Sequence, residues 1–196
     1  MNYIDFHTHR PAPEGVIALV QDVQTQGVHP WDATPEALSF SPSDEAILIG
    51  ECGLDRLCNT PYDVQREVFL HHIRLSETRR TPLLIHCVRA LDEVVHLRRE
   101  EHATQAWIYH GFRGKPQQLH TLLRAGFYVS FGERFNAESL RQCPLDRLLL
   151  ETDTSTCSIQ QVYARAAEIL NMSLEALQEQ MQRNATALFP EKFVGS

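Results

Sequence analysis

Several things this chain lacks narrow its class before any motif is read. No apolar run approaches the roughly 18 residues that mark a membrane-spanning helix. Met1 to Asp5 carry neither the basic region nor the apolar core of a secretory leader, so the expectation is a cytoplasmic protein with no membrane association. No CxxC pair occurs, and the five cysteines (Cys52, Cys58, Cys87, Cys143, Cys157) are odd in number. That excludes a closed disulfide framework and a zinc ribbon, and reduced thiols are the default in the cytosol. Basic charge is scarce: the net charge is −7. A broad basic face for indiscriminate nucleic-acid binding is thereby excluded, though a local basic patch is not. Gly/Ser linkers, low-complexity tracts and charge blocks are also missing. Nothing divides the chain, and 196 residues suffice to bury one core, so a single domain over 1–196 is expected. Nothing in the sequence sets an oligomeric state.

What is present is an alternation. Short apolar runs stand at Tyr3–Phe6, Val16–Val20, Ala46–Gly50, Leu83–Ile85, Trp107–Tyr109, Phe127–Phe131 and Leu148–Leu150. Their shortness and their Val, Ile and aromatic content suit buried parallel strands. Helical spacing lies between them, at Pro61–Arg80, Leu91–Arg99, Pro116–Arg124, Ala137–Gln142, Ile159–Leu170 and Leu174–Leu188, with Ser173 placed to cap the last. Strand and helix repeated this way predict a parallel α/β sheet with crossover helices. Both an open doubly wound sheet and a closed barrel meet that pattern. The stretch from Asp5 to Ala46 has room for one or two short strands (Val16–Val20, Thr25–Val28) but not for full crossover helices, and a Pro-rich, hairpin-like link is expected there.

Chemistry collects where the apolar runs end. His7 and His9 follow the first run, Glu51 the third, His86 and His110 the next two, and Glu151 and Asp153 the last. The C-terminal ends of parallel strands are where α/β folds build their sites. Imidazole and carboxylate suit zinc, manganese and related divalent ions, and two ions can share such a set if one carboxylate bridges. His7 and His9 are two apart, so on a strand they point the same way; Asp153 follows Glu151 by the same step. Any one of these residues alone reads as an exposed histidine, a helix cap or a salt-bridge partner. Their coincidence at strand ends is what points to metal. His71, His72, His96, His102 and His120 fall within helical stretches and are expected on the surface.

Arginine follows the same strand ends: Arg10, Arg56, Arg89, Arg113 and Arg134. A guanidinium fork grips phosphate oxygens well, although a loop arginine can equally pair with a nearby carboxylate. Arg89 and Arg113, each three residues beyond a candidate ligand, are the leading substrate contacts.

Taken in order, "DFHTH" (Asp5 to His9), "GVHPWDA" (Gly27 to Ala33), "IGECGLD" (Ile49 to Asp55), "LIHCVRA" (Leu84 to Ala90), "YHGFRG" (Tyr109 to Gly114), "YVSFG" (Tyr128 to Gly132) and "LLLETDT" (Leu148 to Thr154) resemble the motifs of the TatD-type metal-dependent hydrolases, and "NATALF" (Asn184 to Phe189) resembles their closing helix. The resemblance implies a (β/α) barrel of the amidohydrolase type, here a shortened or distorted TIM-type barrel with parallel strands and reduced early helices. It implies a divalent-metal phosphodiesterase or deoxyribonuclease acting on DNA or another phosphodiester, with two ions (Zn, Mn or Mg). His7, His9, Glu51, His86, His110 and Asp153 match the metal ligands, and Glu51 matches the bridging position. His29 matches a histidine beside the site, placed for substrate contact. Asp153 and Glu51 would be the catalytic carboxylates, acting on a water shared by the ions. The chain departs from the pattern in its short N-terminal part, in Arg89 standing three rather than two residues past His86, in Ser155 for the usual proline, and in Arg56 after "GLD". These changes spare the ligands and touch the loops that select substrate. Two rival readings are amide or ester hydrolysis by a related amidohydrolase barrel, and a non-catalytic metal-binding module.

Overall fold

A computed structural model describes residues 2–193. In chain order its elements are β1 (Tyr3–Thr8), β2 (Val16–Val20), β3 (Thr25–Gln26), β4 (Leu48–Asp55), α1 (Tyr62–Arg79), β5 (Leu83–Val88), α2 (Leu91–Glu100), β6 (Trp107–Tyr109), α3 (Pro116–Arg124), β7 (Tyr128–Phe131), α4 (Ala137–Gln142), β8 (Leu148–Leu150), α5 (Ile159–Leu170), α6 (Leu174–Leu188) and α7 (Pro190–Phe193). The chain forms two compact units, a central one over residues 21–110 and a terminal one over 1–20 with 111–196. No helix among the described residues is long and apolar enough to cross a membrane.

In the central unit β3, β4, β5 and β6 pair in sequence order, all parallel. The apolar pattern predicts that the second of these strands ends at Gly50, and the third at Ile85. Both run further: β4 continues through Glu51 to Asp55, and β5 through His86 to Val88. The reason is backbone proximity that an apolar count does not register. Gly53 adopts φ +142°, and a Cβ there would lie 2.0 Å from the His86 carbonyl oxygen. Only glycine lets the two strands stay paired at that level. The ladder therefore holds at Gly53↔His86, Leu54↔Cys87 and Asp55↔Val88, beyond an irregularity between Ile49 and Cys52. Glu51 sits inside that irregularity, the kind of local kink that re-aims a side chain. β5 stops at Arg89, which is left-handed at φ +53°.

Helix α1 packs Val68, Phe69 and Ile73 inward, and Phe69 meets Trp107 of β6 edge-on at 5.7 Å. Pro61 is the N-cap of α1 rather than part of its first turn. The expected surface position of His72 is overturned: its side chain is fully buried on α1. Its Nδ1 lies 2.7 Å from the Val68 carbonyl, and its Nε2 accepts from the Val28 amide at 3.0 Å. The burial is affordable because both ring nitrogens are satisfied. Between β3 and β4 stand only two 3₁₀ turns, Pro30–Asp32 and Pro35–Ser39, so the early helices are indeed reduced.

In the terminal unit β1 pairs with β2 and β7 with β8, again parallel. The link between β1 and β2 is not hairpin-like. The chain returns to a parallel register, Tyr3↔Val16 to Asp5↔Ala18, with no helix in between. Pro11, Pro13 and Gly15 (φ +76°) lie in that short link. Parallel strands ordinarily need a connection of about a dozen residues; here bends at His9 and Arg10 and a turn at Glu14–Gly15, closed by the Val16 amide on the Pro13 carbonyl at 3.2 Å, make a shorter path. Tyr163 of α5 ties its helix to β1 by donating to the Ile4 carbonyl at 2.9 Å and accepting the Ile4 amide at 3.2 Å. Asn184 of α6 donates to the carbonyls of Leu145 and Leu148, both at 2.7 Å, and so holds the start of β8. Ser173 caps α6 as its sequence predicts, accepting from the Ala176 amide at 3.1 Å.

Candidate metal centre

Glu51 is the focus of the central unit. Its carboxylate is buried, and one oxygen, Oε1, lies 2.7 Å from His86 Nδ1, 2.7 Å from His110 Nε2 and 3.2 Å from His29 Nε2. Three elements deliver those imidazoles. His86 is on β5, His110 directly follows β6, and His29 caps the 3₁₀ turn at Pro30. The sequence places Glu51 and His86 just past strand ends, whereas the structure holds them within β4 and β5, His86 paired with Gly53 in the ladder and Glu51 at its irregularity.

The tautomer of His29 follows from its partners. Its Nδ1 accepts the Trp31 amide at 3.2 Å. A neutral imidazole accepting at Nδ1 carries its proton on Nε2. His29 therefore carries its proton on the nitrogen 3.2 Å from Glu51 Oε1, which suits a group that orients the carboxylate. His86 faces a second acid through its other nitrogen, with Nε2 3.3 Å from Asp55 Oδ2. Asp55 is itself held by Trp31 Nε1 at 2.7 Å and by the Leu57 amide at 2.7 Å. Burial pushes the Asp55 carboxyl up, but the hydrogen bonds from Trp31, Leu57 and His86 outweigh it and leave it below its ordinary value.

The terminal unit has its own donors. His7 is fully buried in β1, His9 lies just past it, and their rings meet edge-on at 5.1 Å. Asp153 Oδ1 is 3.7 Å from His7 Nε2 and 3.5 Å from His9 Nε2. The main chain enforces this meeting: the Asp153 amide donates to the His7 carbonyl at 2.9 Å, and the His9 amide donates to the Asp153 carbonyl at 3.2 Å. Asp153 reaches this position in left-handed backbone, at φ +53°.

Asp5, which is not among the donors expected from the sequence, serves this cluster, whereas Glu151, which is among them, makes a contact of its own. Asp5 accepts the Thr152 amide at 2.9 Å and the Thr152 hydroxyl at 2.6 Å, locking β1 to the segment that carries Asp153. Its burial raises its carboxyl to about 7, against those two hydrogen bonds. Glu151, fully buried, accepts the Gly111 amide at 2.6 Å. In sequence, the "DFH" and "ETD" spacings were the available signal, since Asp5 shares a strand face with His7.

A cleft of about 330 Å³ opens beside Asp153, lined by Arg113, Arg134, Glu133, Thr154 and Ser155. Ser155, standing where the sequence pattern has proline, donates to Glu133 at 2.7 Å. Arg113 thus lies in a polar cleft with Asp153. Arg89 is exposed and stands directly after β5. Arg56 takes the ordinary loop role, pairing with Glu93 at 2.9 Å and lying over the Tyr62 ring.

The family model described as TatD related DNase matches residues 17–190. Among curated proteins, the chain is 31% identical over 192 residues to an uncharacterized metal-dependent hydrolase, YabD, of Bacillus subtilis, covering 83% of this chain and 75% of that one. Among solved structures it is similar to the TatD homologue YjjV of Escherichia coli, with a TM-score of 0.70 and 20% identity over 91% of this chain and 78% of that one. A TatD family hydrolase of Entamoeba histolytica aligns with a TM-score of 0.66 and 18% identity, over 74% of this chain and 64% of that one. The expected fold class holds: parallel strands and crossover helices in a shortened TIM-type barrel with reduced early helices.

Proposed function

We propose, on the premise that this chain belongs to the TatD related DNase family of metal-dependent hydrolases, that it is a divalent-metal phosphodiesterase acting on DNA or another phosphodiester. The observation that supports this reading most is the convergence of three imidazoles on one buried carboxylate oxygen. Imidazole nitrogen and carboxylate oxygen are the donors that zinc and manganese prefer. Two of those imidazoles, His86 and His110, each place a nitrogen 2.7 Å from Glu51 Oε1, so three of the proposed ligands meet at one point. The donor set therefore fits the group the family implies. His7, His9, Glu51, His86, His110 and Asp153 are proposed as ligands, for two ions. A bound divalent ion would supply Lewis acidity and lower the pKa of a water to near neutral.

The chain's own groups account for the rest. Asp153, held by two backbone hydrogen bonds between the imidazoles of His7 and His9, takes the proton as water attacks phosphorus and the P–O ester bond breaks, the leaving oxygen taking a proton from solvent. His29, protonated on Nε2, keeps the Glu51 carboxylate turned toward His86 and His110. Arg113, in the cleft beside Asp153, neutralises the charge that builds on the phosphoryl oxygens.

The test is Asp153→Asn, assayed on a chromogenic bis-aryl phosphate and a DNA oligonucleotide with Mn, Zn or Mg, beside an amide panel. Loss of a general base costs roughly 10²–10⁴-fold in rate, while metal content by elemental analysis should stay largely intact. Near-normal turnover by the variant removes Asp153 from this role. Cleavage of amides alone replaces the phosphodiester reading with the amidohydrolase one. Bound metal with no turnover on any substrate supports a binding module instead.

A further inference from the structure

Trp31 is out of place for a tryptophan. Its side chain is 61% exposed, the most open of the large hydrophobic residues among those described, whereas Trp107 is fully buried. A single exposed apolar side chain usually calls for no explanation. This one is held rigid at the Glu51 cluster. Its ring stands edge-on to His29 at 4.8 Å and to His86 at 6.1 Å between centroids. Its indole nitrogen donates to Asp55 at 2.7 Å, and its carbonyl accepts the Thr60 hydroxyl at 2.7 Å. Leu57, 60% exposed, donates its amide to the other oxygen of the same Asp55 carboxylate. The indole nitrogen is thus engaged by the protein, and more than half of the side chain is left open to solvent.

We propose that Trp31 is a stacking platform for a nucleobase of the substrate, so that this site favours phosphodiesters carrying an unpaired base. The inference rests on the phosphodiesterase reading for the identity of its ligand. Bases stack on aromatic side chains regardless of sequence, and such platforms serve single-stranded nucleic acids. A base stacked on Trp31 would lie beside the Glu51 cluster, since the Trp31 ring centroid is 4.8 Å from that of His29 and 6.1 Å from that of His86. The charge balance points the same way. With a net charge of −7, the chain draws little affinity from a general phosphate attraction, and stacking is a charge-independent source of it. Held by Asp55 and by its edge contacts, the ring gives up little entropy on binding.

The test is binding of a phosphorothioate single-stranded tetranucleotide, followed by tryptophan fluorescence in wild type and by calorimetry in wild type and every variant, against the same backbone without bases. With Trp107 buried, Trp31 is the accessible one of the two tryptophans. Wild type should be quenched by the base-bearing strand and bind its abasic counterpart more weakly. Trp31→Ala should raise Kd for the base-bearing strand roughly 5- to 150-fold, the worth of one stacked base, and should lose the discrimination. Trp31→Phe keeps a stacking face but lacks the bond to Asp55, so it should retain most of the affinity. Equal binding of both strands by wild type, or no binding of either, overturns the proposal. Equal damage in the Phe and Ala variants also overturns it, because Trp31 would then act only by positioning Asp55. Hydrolysis of bis-aryl phosphate with no base discrimination rejects the platform alone. Base-dependent quenching in a protein that hydrolyses no phosphodiester rejects the proposed activity and leaves the platform standing.

Discussion

Acid should weaken this protein through His72, and the size of the effect can be worked from its surroundings. Nδ1 faces the Val68 carbonyl and Nε2 accepts the Val28 amide. One neutral tautomer, protonated on Nδ1, satisfies both. A second proton on Nε2 would set an N–H against the Val28 N–H. Burial lowers the His72 pKa to about 4; the bond to Val68 opposes this, and the nearby His71 adds to it. An unfolded histidine titrates near 6.5. The folded value is the lower one, so the unfolded chain takes up the proton first as pH falls. Stability from neutral His72 is therefore complete above about pH 6.5 and declines as pH drops toward about 4. A gap of that width corresponds to about 3 kcal/mol, a large share of the roughly 5–15 kcal/mol available to a folded domain.

The check is urea unfolding of wild type and His72→Gln at pH 7.5 and pH 4.5. Gln can still accept and donate but has no proton to gain. Other titrating groups cancel in the difference, so wild type should lose about 2–3 kcal/mol more than the variant across this range. Identical pH dependence in the two proteins would refute the reasoning. The consequence reaches the site, because Val28 precedes His29. Protonating His72 displaces the amide that anchors the segment carrying both His29 and Trp31.

Other expectations concern the donors and the backbone that places them. Gly53→Ala puts a methyl group into the His86 carbonyl and an L-residue at φ +142°. Overpacking and backbone strain together should cost about 2–6 kcal/mol, and an unchanged denaturation midpoint would show that β4 and β5 can separate cheaply. Glu51→Gln should weaken divalent-ion binding, measured calorimetrically, by at least the roughly 10- to 100-fold that even an outer-sphere change costs; unaltered affinity would remove Glu51 from the ligand set. Arg113→Ala should lower kcat on a phosphodiester roughly 10²-fold, as for a lost transition-state donor, and a variant that changes only KM would restrict Arg113 to ground-state binding.

The sequence by itself determined the order and type of the elements. α3, α4, α5 and α6 begin and end where helical spacing and caps predict, because those signals are local: Ser173 bonds an amide three residues away. The candidate donors were legible for a related reason, since each His or acid follows an apolar run that has to be a strand. What lay beyond reach depended on segments distant in sequence. β4 runs on to Asp55 because Gly53 lets it lie against His86, and no pattern within "GECGLD" announces its partner. His72 looks like any helical histidine until the Val28 amide is brought to it from 44 residues away. The contacts that orient the chemistry, the close approach of His29 to Glu51 and the hydrogen bond from Thr152 to Asp5, likewise exist only once the chain has closed. Residue type and spacing decide which groups are available for metal and phosphate. Only tertiary structure decides which of their atoms face one another, because a hydrogen bond needs both partners within about 3 Å and the strands that carry them are far apart in sequence.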